Sequence, residues 1–172
     1  MEKLPTFTEF MALEVPQEKK AELFKFWLNQ NPPQSWIKKV PVGGGKEADY
    51  LPVECVEHLL TTLMISWNIE IKSITYHLNV VNVTVRLHYI SPIDNYSYWQ
   101  DGTAGFEMYH SEKSGGIDRS ARTASQAAET FAFKDAADKI GAIFGRNLNR
   151  KTQFDYFTNY QKVSEKPEAT IK

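Results

Sequence analysis

Residues Asn79 to Tyr89 alternate in polarity strictly enough to leave little choice of structure. Val81, Val83, Val85, Leu87 and Tyr89 fall on one side of the repeat, and Asn82, Thr84, Arg86 and His88 on the other. A two-residue period sends successive side chains to opposite faces of a strand, so the segment predicts a half-buried strand of an antiparallel sheet. Its neighbours are of the same kind. From Asn68 to Tyr76, Ile69 and Ile71 oppose Glu70 and Lys72. After the turn Ser91-Pro92-Ile93-Asp94-Asn95, a third strand is expected from Tyr96 to Met108. Gly102 and Gly105 inside it signal a bulge or the close approach of another backbone.

Helical patterns flank these strands. Pro16, the polar run Gln17 to Lys20, then Ala21, Leu23, Phe24, Phe26, Trp27 and Leu28 read as a short amphipathic helix that Asn31-Pro32-Pro33 ends. Gly43-Gly44-Gly45 marks a flexible turn. Pro52 opens a second helix with Val53, Val56, Leu59, Leu60 and Leu63 at spacings of three and four. Tyr109 to Thr123 is polar around Ser114-Gly115-Gly116 and is expected to be a loop. A long helix is expected from Ser125, with Phe133, Ala137, Ile140 and Phe144 on one stripe, Asp135 and Lys139 as an i,i+4 pair, and Gly145 or Asn147 at its end. Phe154, Tyr156, Phe157 and Tyr160 suggest a further short helix. The expected fold class is α+β: an antiparallel three-stranded β-meander followed by a long packing helix, with N-terminal helices. The expected organisation is an N-terminal helical segment over 1–35, a main domain over 36–160 and a frayed tail over 161–172.

A chain of 172 residues suits one domain with one core. No run approaches the roughly 18 apolar residues of a membrane span, and Met1 to Glu14 has no apolar stretch of the signal-peptide kind. Cys55 is the only cysteine, which excludes a disulfide within the chain and a cysteine-rich zinc site. A soluble cytoplasmic protein is the expectation. The formal net charge of −1 is no signature of a polyanion binder, but the cations are patchy. Lys38, Lys39 and Lys46 occur without an acid between Trp36 and Lys46; after Phe133 come Lys134, Lys139, Arg146, Arg150, Lys151, Lys162, Lys166 and Lys172, partly offset by Asp135, Asp138, Asp155, Glu165 and Glu168.

The usual catalytic patterns are missing. Gly43-Gly44-Gly45-Lys46 is followed by Glu47, whereas a phosphate loop needs Gly-Lys-Ser/Thr between a strand and a helix. His58, His77, His88 and His110 lack metal-ligand spacing, and neither a Gly-x-Ser-x-Gly elbow nor a His-Glu-x-x-His helix is present. Cys55, in an apolar helix start, reads as a structural thiol. The expectation is a protein without cofactor, metal or catalytic residues.

Two stretches carry a resemblance. The first runs from Gly43-Gly44-Gly45-Lys46 through Tyr50-Leu51 and the helix Val53 to Met64 to Trp67. The second is Ala132-Phe133-Lys134-Asp135-Ala136-Ala137-Asp138-Lys139-Ile140-Gly141-Ala142-Ile143-Phe144-Gly145-Arg146. Together with the three strands between them, they resemble the DNA-annealing domain of the Rad-fifty-two family and its phage relatives of the Sak and Erf type, over about residues 36–151. The resemblance implies a β-β-β-α unit that assembles into rings or helical filaments and anneals complementary single strands without ATP in recombination. It also implies single-stranded DNA as partner, possible helpers such as a host single-strand-binding protein or a partner exonuclease, and a phage, prophage or plasmid origin in a bacterial host. The residues expected to hold DNA are Lys38, Lys39, Arg86, Lys134, Arg146, Arg150 and Lys151. The chain departs from the family in offering Glu54, Cys55, Glu57 and His58 where a basic residue is usual. Tyr96, Tyr98 and Trp99 could stack on bases or pack within the protein. The alternative reading is a non-annealing, oligomeric protein-interaction module on the same fold; a small α+β enzyme without a familiar motif is a third.

Overall fold

The computed structural model describes Glu9, residues 12–108 and residues 117–150. Helix α1, Gln17–Leu28, follows Pro16 directly. Strands β1, Lys38–Gly43, and β2, Lys46–Tyr50, form an antiparallel hairpin. Its turn is Gly44-Gly45, both in the left-handed region at φ 60° and 71°, as a two-residue turn matched to strand twist requires. The glycines therefore build a tight hairpin rather than a flexible turn. They lead from strand to strand, which is not the setting of a phosphate loop. Helix α2, Val53–Leu63, starts after Pro52 and buries Val56, Leu59, Leu60 and Leu63, the stripe its spacing predicts.

Strands β3, Ser66–His77, β4, Val80–Ile90, and β5, Ser97–Glu107, form a meander with β4 in the centre. The alternation in β4 is realised in full: Val81, Val83, Val85 and Leu87 are buried, while Asn82, Thr84, Arg86 and His88 are not. Residues paired across antiparallel strands share a face. The core face therefore also carries Trp67, Ile69, Ile71, Ile74 and Tyr76 from β3, and Tyr98, Gln100, Gly102, Ala104 and Phe106 from β5. The register shifts between Ile71 and Ser73, and this keeps Ile71 and Ile74 on the same face although they are three residues apart.

Helix α3, Ile117–Asp138, covers that face over β4 and β5. It corrects the expectation at both ends. Residues 117–123, expected in a loop, are helical, and the helix stops at Asp138, so Ile140 and Phe144 do not continue its stripe. Ala142–Phe144 is instead a separate 3-10 turn, ended by Gly145 in the left-handed region. Residues 109–116 and the expected helix around Phe154 to Tyr160 lie outside the described residues.

The sheet-facing row of α3 is Ala124, Ala128, Ala132 and Ala136, all buried. Four alanines at i,i+4 spacing let the helix axis come close to the sheet. At the closest point a Cβ added to Gly102 would overlap the backbone of Ala132 and Ala136, so the glycine is there for a close approach rather than for a bulge. Phe133 leans to the other side, where it stacks on Trp67 at 5.7 Å, and the Trp67 indole N–H donates to Thr61 Oγ1 at 3.1 Å. Sheet, α2 and α3 thus close one core.

Gly102→Ala should lower the melting temperature by about 5–10 °C, from an overpacking cost of about 1–3 kcal/mol. Gly105→Ala, whose new Cβ would meet mainly the Asn82 side chain, should cost less than half as much. Thermal unfolding followed by circular dichroism checks the contrast; equal melting points would contradict the packing described.

Candidate nucleic-acid interface

One end of the molecule gathers cations from three parts of the chain: the hairpin, the last turns of α3, and the segment after it. Lys38, the first residue of β1, lies 3.9 Å from Glu54 at the start of α2. Lys134, one turn before the end of α3, sits with its ammonium 5.2 Å from the Tyr50 ring centroid and 5.8 Å from that of Phe131. Burial lowers the Lys134 pKa from its ordinary value, opposed by the negative charges of Asp138 and Glu54. Arg146 turns back on the helix end, its Nε donating to the Asp138 carbonyl at 2.7 Å and its Nη2 to the Lys139 carbonyl at 3.4 Å. It thereby satisfies backbone oxygens that a helix C-terminus leaves open. Arg150 is exposed and contributes positive charge felt at Asp138.

The segment that carries Arg146 and Arg150 is clamped to the hairpin. Asn149, itself in the left-handed region, accepts from the Asp49 backbone N–H at 2.7 Å and donates to the Asp49 carbonyl at 2.7 Å. This reciprocal pair is what brings Arg150 beside the β2 end of the hairpin. Nothing in the local sequence announces it, because its partners are 100 residues apart.

Asp138 lies at the centre of the cluster. Its Oδ1 is buried and has no hydrogen-bond partner among the described residues. Burial is the main reason its pKa rises to about 6 from 3.8; Asp135 adds to the rise, while Lys134, Arg146 and Arg150 oppose it. The cluster therefore sets four cations among Glu54, Asp135 and Asp138, the last losing half its charge near pH 6. With the Tyr50 ring beside them, these cations can meet a phosphate chain.

Of the seven residues expected to hold DNA, the structure brings together Lys38, Lys134, Arg146 and Arg150. Lys39 is the next residue of β1 and pairs with Glu47 at 3.4 Å. Lys151 lies outside the described residues. Arg86 is elsewhere, on the face of the sheet opposite α3. Its guanidinium makes a two-pronged contact with Asp101 at 2.6 and 2.8 Å and lies 4.0 Å from the Trp99 ring centroid. The hydrogen bonds between them hold the Asp101 carboxyl below its usual range and raise the Arg86 pKa, so this cation is already engaged.

The aromatic group at the start of β5 does not form one cluster. Tyr98 stacks on Tyr89 at 5.9 Å on the core face and donates its hydroxyl to Asp94 at 2.6 Å, whereas Trp99 faces the other way. Tyr96 is exposed. On the same open face, His88 meets Glu70 at 3.3 Å. Cys55 is half-buried, and burial, then Glu54, pushes its thiol pKa up, against thiolate chemistry. Among the described residues no group of three or more His, Cys, Asp or Glu could hold a metal, and no helix is long and apolar enough to cross a membrane. A scan against protein-family models gives no match for this chain, and a search of the curated proteins gives none either.

Folding favours the protonated form of Asp138. Its contribution is present at low pH and is lost as pH rises from about 4 through about 6, leaving a cost of about 1–3 kcal/mol at neutral pH after allowance for partial exposure. Asp138→Asn should therefore be more stable than the parent at pH 7.5 by about that amount, and the gap should shrink markedly by pH 4.5. Urea unfolding at the two pH values checks this; a pH-independent gap would mean that the carboxyl titrates normally.

Proposed function

We propose that this protein binds single-stranded DNA through the cationic end and anneals complementary strands without ATP, acting as a homo-oligomer. The observation that carries the reading is the convergence of Lys38, Lys134, Arg146 and Arg150 about Glu54 and Asp138, from segments far apart in sequence, with Lys134 over the Tyr50 ring. Annealing requires a strand held by its phosphates while base edges stay free to meet a partner. A row of cations on a rigid surface supplies that hold, and no bond has to be made or broken. The resemblance of the glycine hairpin, the following helix and the alanine-rich helix to annealing domains supports the same reading, as does the order β-β-β-α. The site needs no cofactor, and the work belongs in the cytoplasm of a bacterial host, where a phage, prophage or plasmid recombination system operates with its own exonuclease or the host's single-strand-binding protein.

The alternative is an assembly module that binds protein rather than DNA. The exposed apolar side chains of β3 favour it, since Ile69, Ile71 and Ile74 remain 40–45% exposed on the core face.

Two labelled complementary oligonucleotides, mixed with the protein without ATP or metal across a salt series, separate the readings. Accelerated pairing that fades with salt is the expected result. Lys38→Ala combined with Arg150→Ala should weaken single-strand binding about tenfold or more at low salt. It should also reduce the salt slope by about 1.4, from two phosphate contacts at about 0.7 each. Unaltered binding by the folded double variant would remove the cationic end from the account, and absence of any acceleration would favour the assembly module.

A further inference from the structure

The two edges of the meander are not alike. On β5 the outward backbone groups are occupied by the protein's own helix: the Thr103 N–H donates to Asp135 Oδ2 at 3.1 Å, and Lys139 donates to the Asp101 carbonyl. Lys139 and Asp135 are themselves paired at 3.0 Å. An edge capped in this way cannot accept a further strand at that point. On β3, 12 residues long, no described element pairs with the outward side.

The free strand is close to its own complement. Because the register shifts at Lys72, the apolar side chains of the two halves share one face. About a centre between Ile71 and Lys72, reversal of the strand sets Ile69 against Ile74, Trp67 against Tyr76, Glu70 against Ser73 and Asn68 against Thr75. Apolar meets apolar and polar meets polar in these four pairs; the central pair, Ile71 against Lys72, is mixed and falls at the bulge, where the ladder is already interrupted. A regular strand would fail here, since residues five apart would point to opposite faces. Charge does not oppose it: Glu70 already pairs with Lys72 of its own strand at 3.1 Å, so each copy brings a neutralised pair to the axis.

We propose that the chain dimerises by antiparallel pairing of β3 with β3 of a second copy, about a two-fold axis at Ile71–Lys72, making one six-stranded sheet. The pairing removes the unpaired edge and covers Ile69, Ile71, Ile74 and Tyr76, which are 40%, 45%, 45% and 60% exposed in the single chain. An isologous contact of this kind closes on itself, so any ring or filament is built from such dimers. The inference gives the partner surface for the homo-oligomer of the proposed function but does not depend on DNA binding. A dimer that fails to anneal strands would sink that reading and leave this one intact.

Sedimentation of the full chain at 1–100 μM, with Ile74→Glu and Ile69→Glu, provides the test. The parent should sediment as a dimer or a multiple of it, and each variant should raise the dissociation constant at least a hundredfold with its circular dichroism unchanged. Phe131→Glu, at an exposed site on α3, should leave the mass as it is. A second measurement fixes the register, in a Cys55→Ser background. Ile69→Cys mixed with Ile74→Cys should form a disulfide-linked pair readily, while Ile69→Cys alone should not, since its two copies would stand five residues apart, about 17 Å. A monomeric parent, an assembly indifferent to Ile74→Glu, or equal cross-linking of Ile69→Cys with itself would each overturn the proposal.

Discussion

Contact between the alanine row of α3 and the backbone of β5 at Gly102 sets the position of almost everything else. Small residues on both sides bring the helix close to the sheet, and the approach leaves no room for a side chain at Gly102. With the helix seated there, Val81, Val83, Val85 and Leu87 of the central strand lose all but a trace of solvent contact. Burial on this scale, at about 25 cal/mol per Å² of apolar surface, is the main favourable contribution to such a fold. The same seating determines what is left out. A helix centred over β4 and β5 meets β3 at Trp67, through Phe133, and at Tyr76, whose hydroxyl lies 3.3 Å from Ser125 Oγ. The exposed apolar row of β3 follows from where the helix sits.

Much of this was legible in the residues. The alternation of β4 placed its buried and open faces correctly, and the stripe of α2 named its buried side chains. Local periodicity carries such information because it depends only on the geometry of the element. The α3 boundaries were not legible. Ile117 to Thr123 has five polar residues out of seven and follows Ser114-Gly115-Gly116, so it passes for a loop in the sequence. At the other end, Ile140 and Phe144 keep helical spacing from Phe133 and Ala137, yet Gly141 breaks the helix and Ala142–Phe144 buries the same apolar side chains in a 3-10 turn. The β1–β2 hairpin was hidden for a different reason. Its strands are short and exposed, so their polarity does not alternate cleanly.

The candidate site was read as a list of cations, and a list does not say which charges meet. Arg86 looked as available as Lys134, but its cross-strand neighbour is Asp101, and the pairing register alone decides that. Asp138 gave no signal in the sequence, being one of four acids among three cations in α3. Its significance comes from burial beside Lys134 and Arg146, where the cost of taking a charge out of water exceeds what those cations return. Positive charge at this end is thus set by the solvation of one carboxyl as well as by the number of lysines and arginines.

The reciprocal hydrogen bonds between Asp49 and Asn149 join positions 100 residues apart. The meander needs only neighbouring strands, so it can form while the chain is still short, whereas this clasp must wait until the whole length between its partners exists. On a growing chain emerging from the ribosome, the sheet precedes the cationic end in time. The order reverses on opening: two exposed hydrogen bonds give way more easily than a packed core, and their loss frees Arg150 without disturbing β4. Opening of the clasp would release Arg150 alone, while Lys38, Lys134 and Arg146 keep their own contacts, and hydrogen exchange at the Asp49 amide, set against that at Val83, reports how often it occurs.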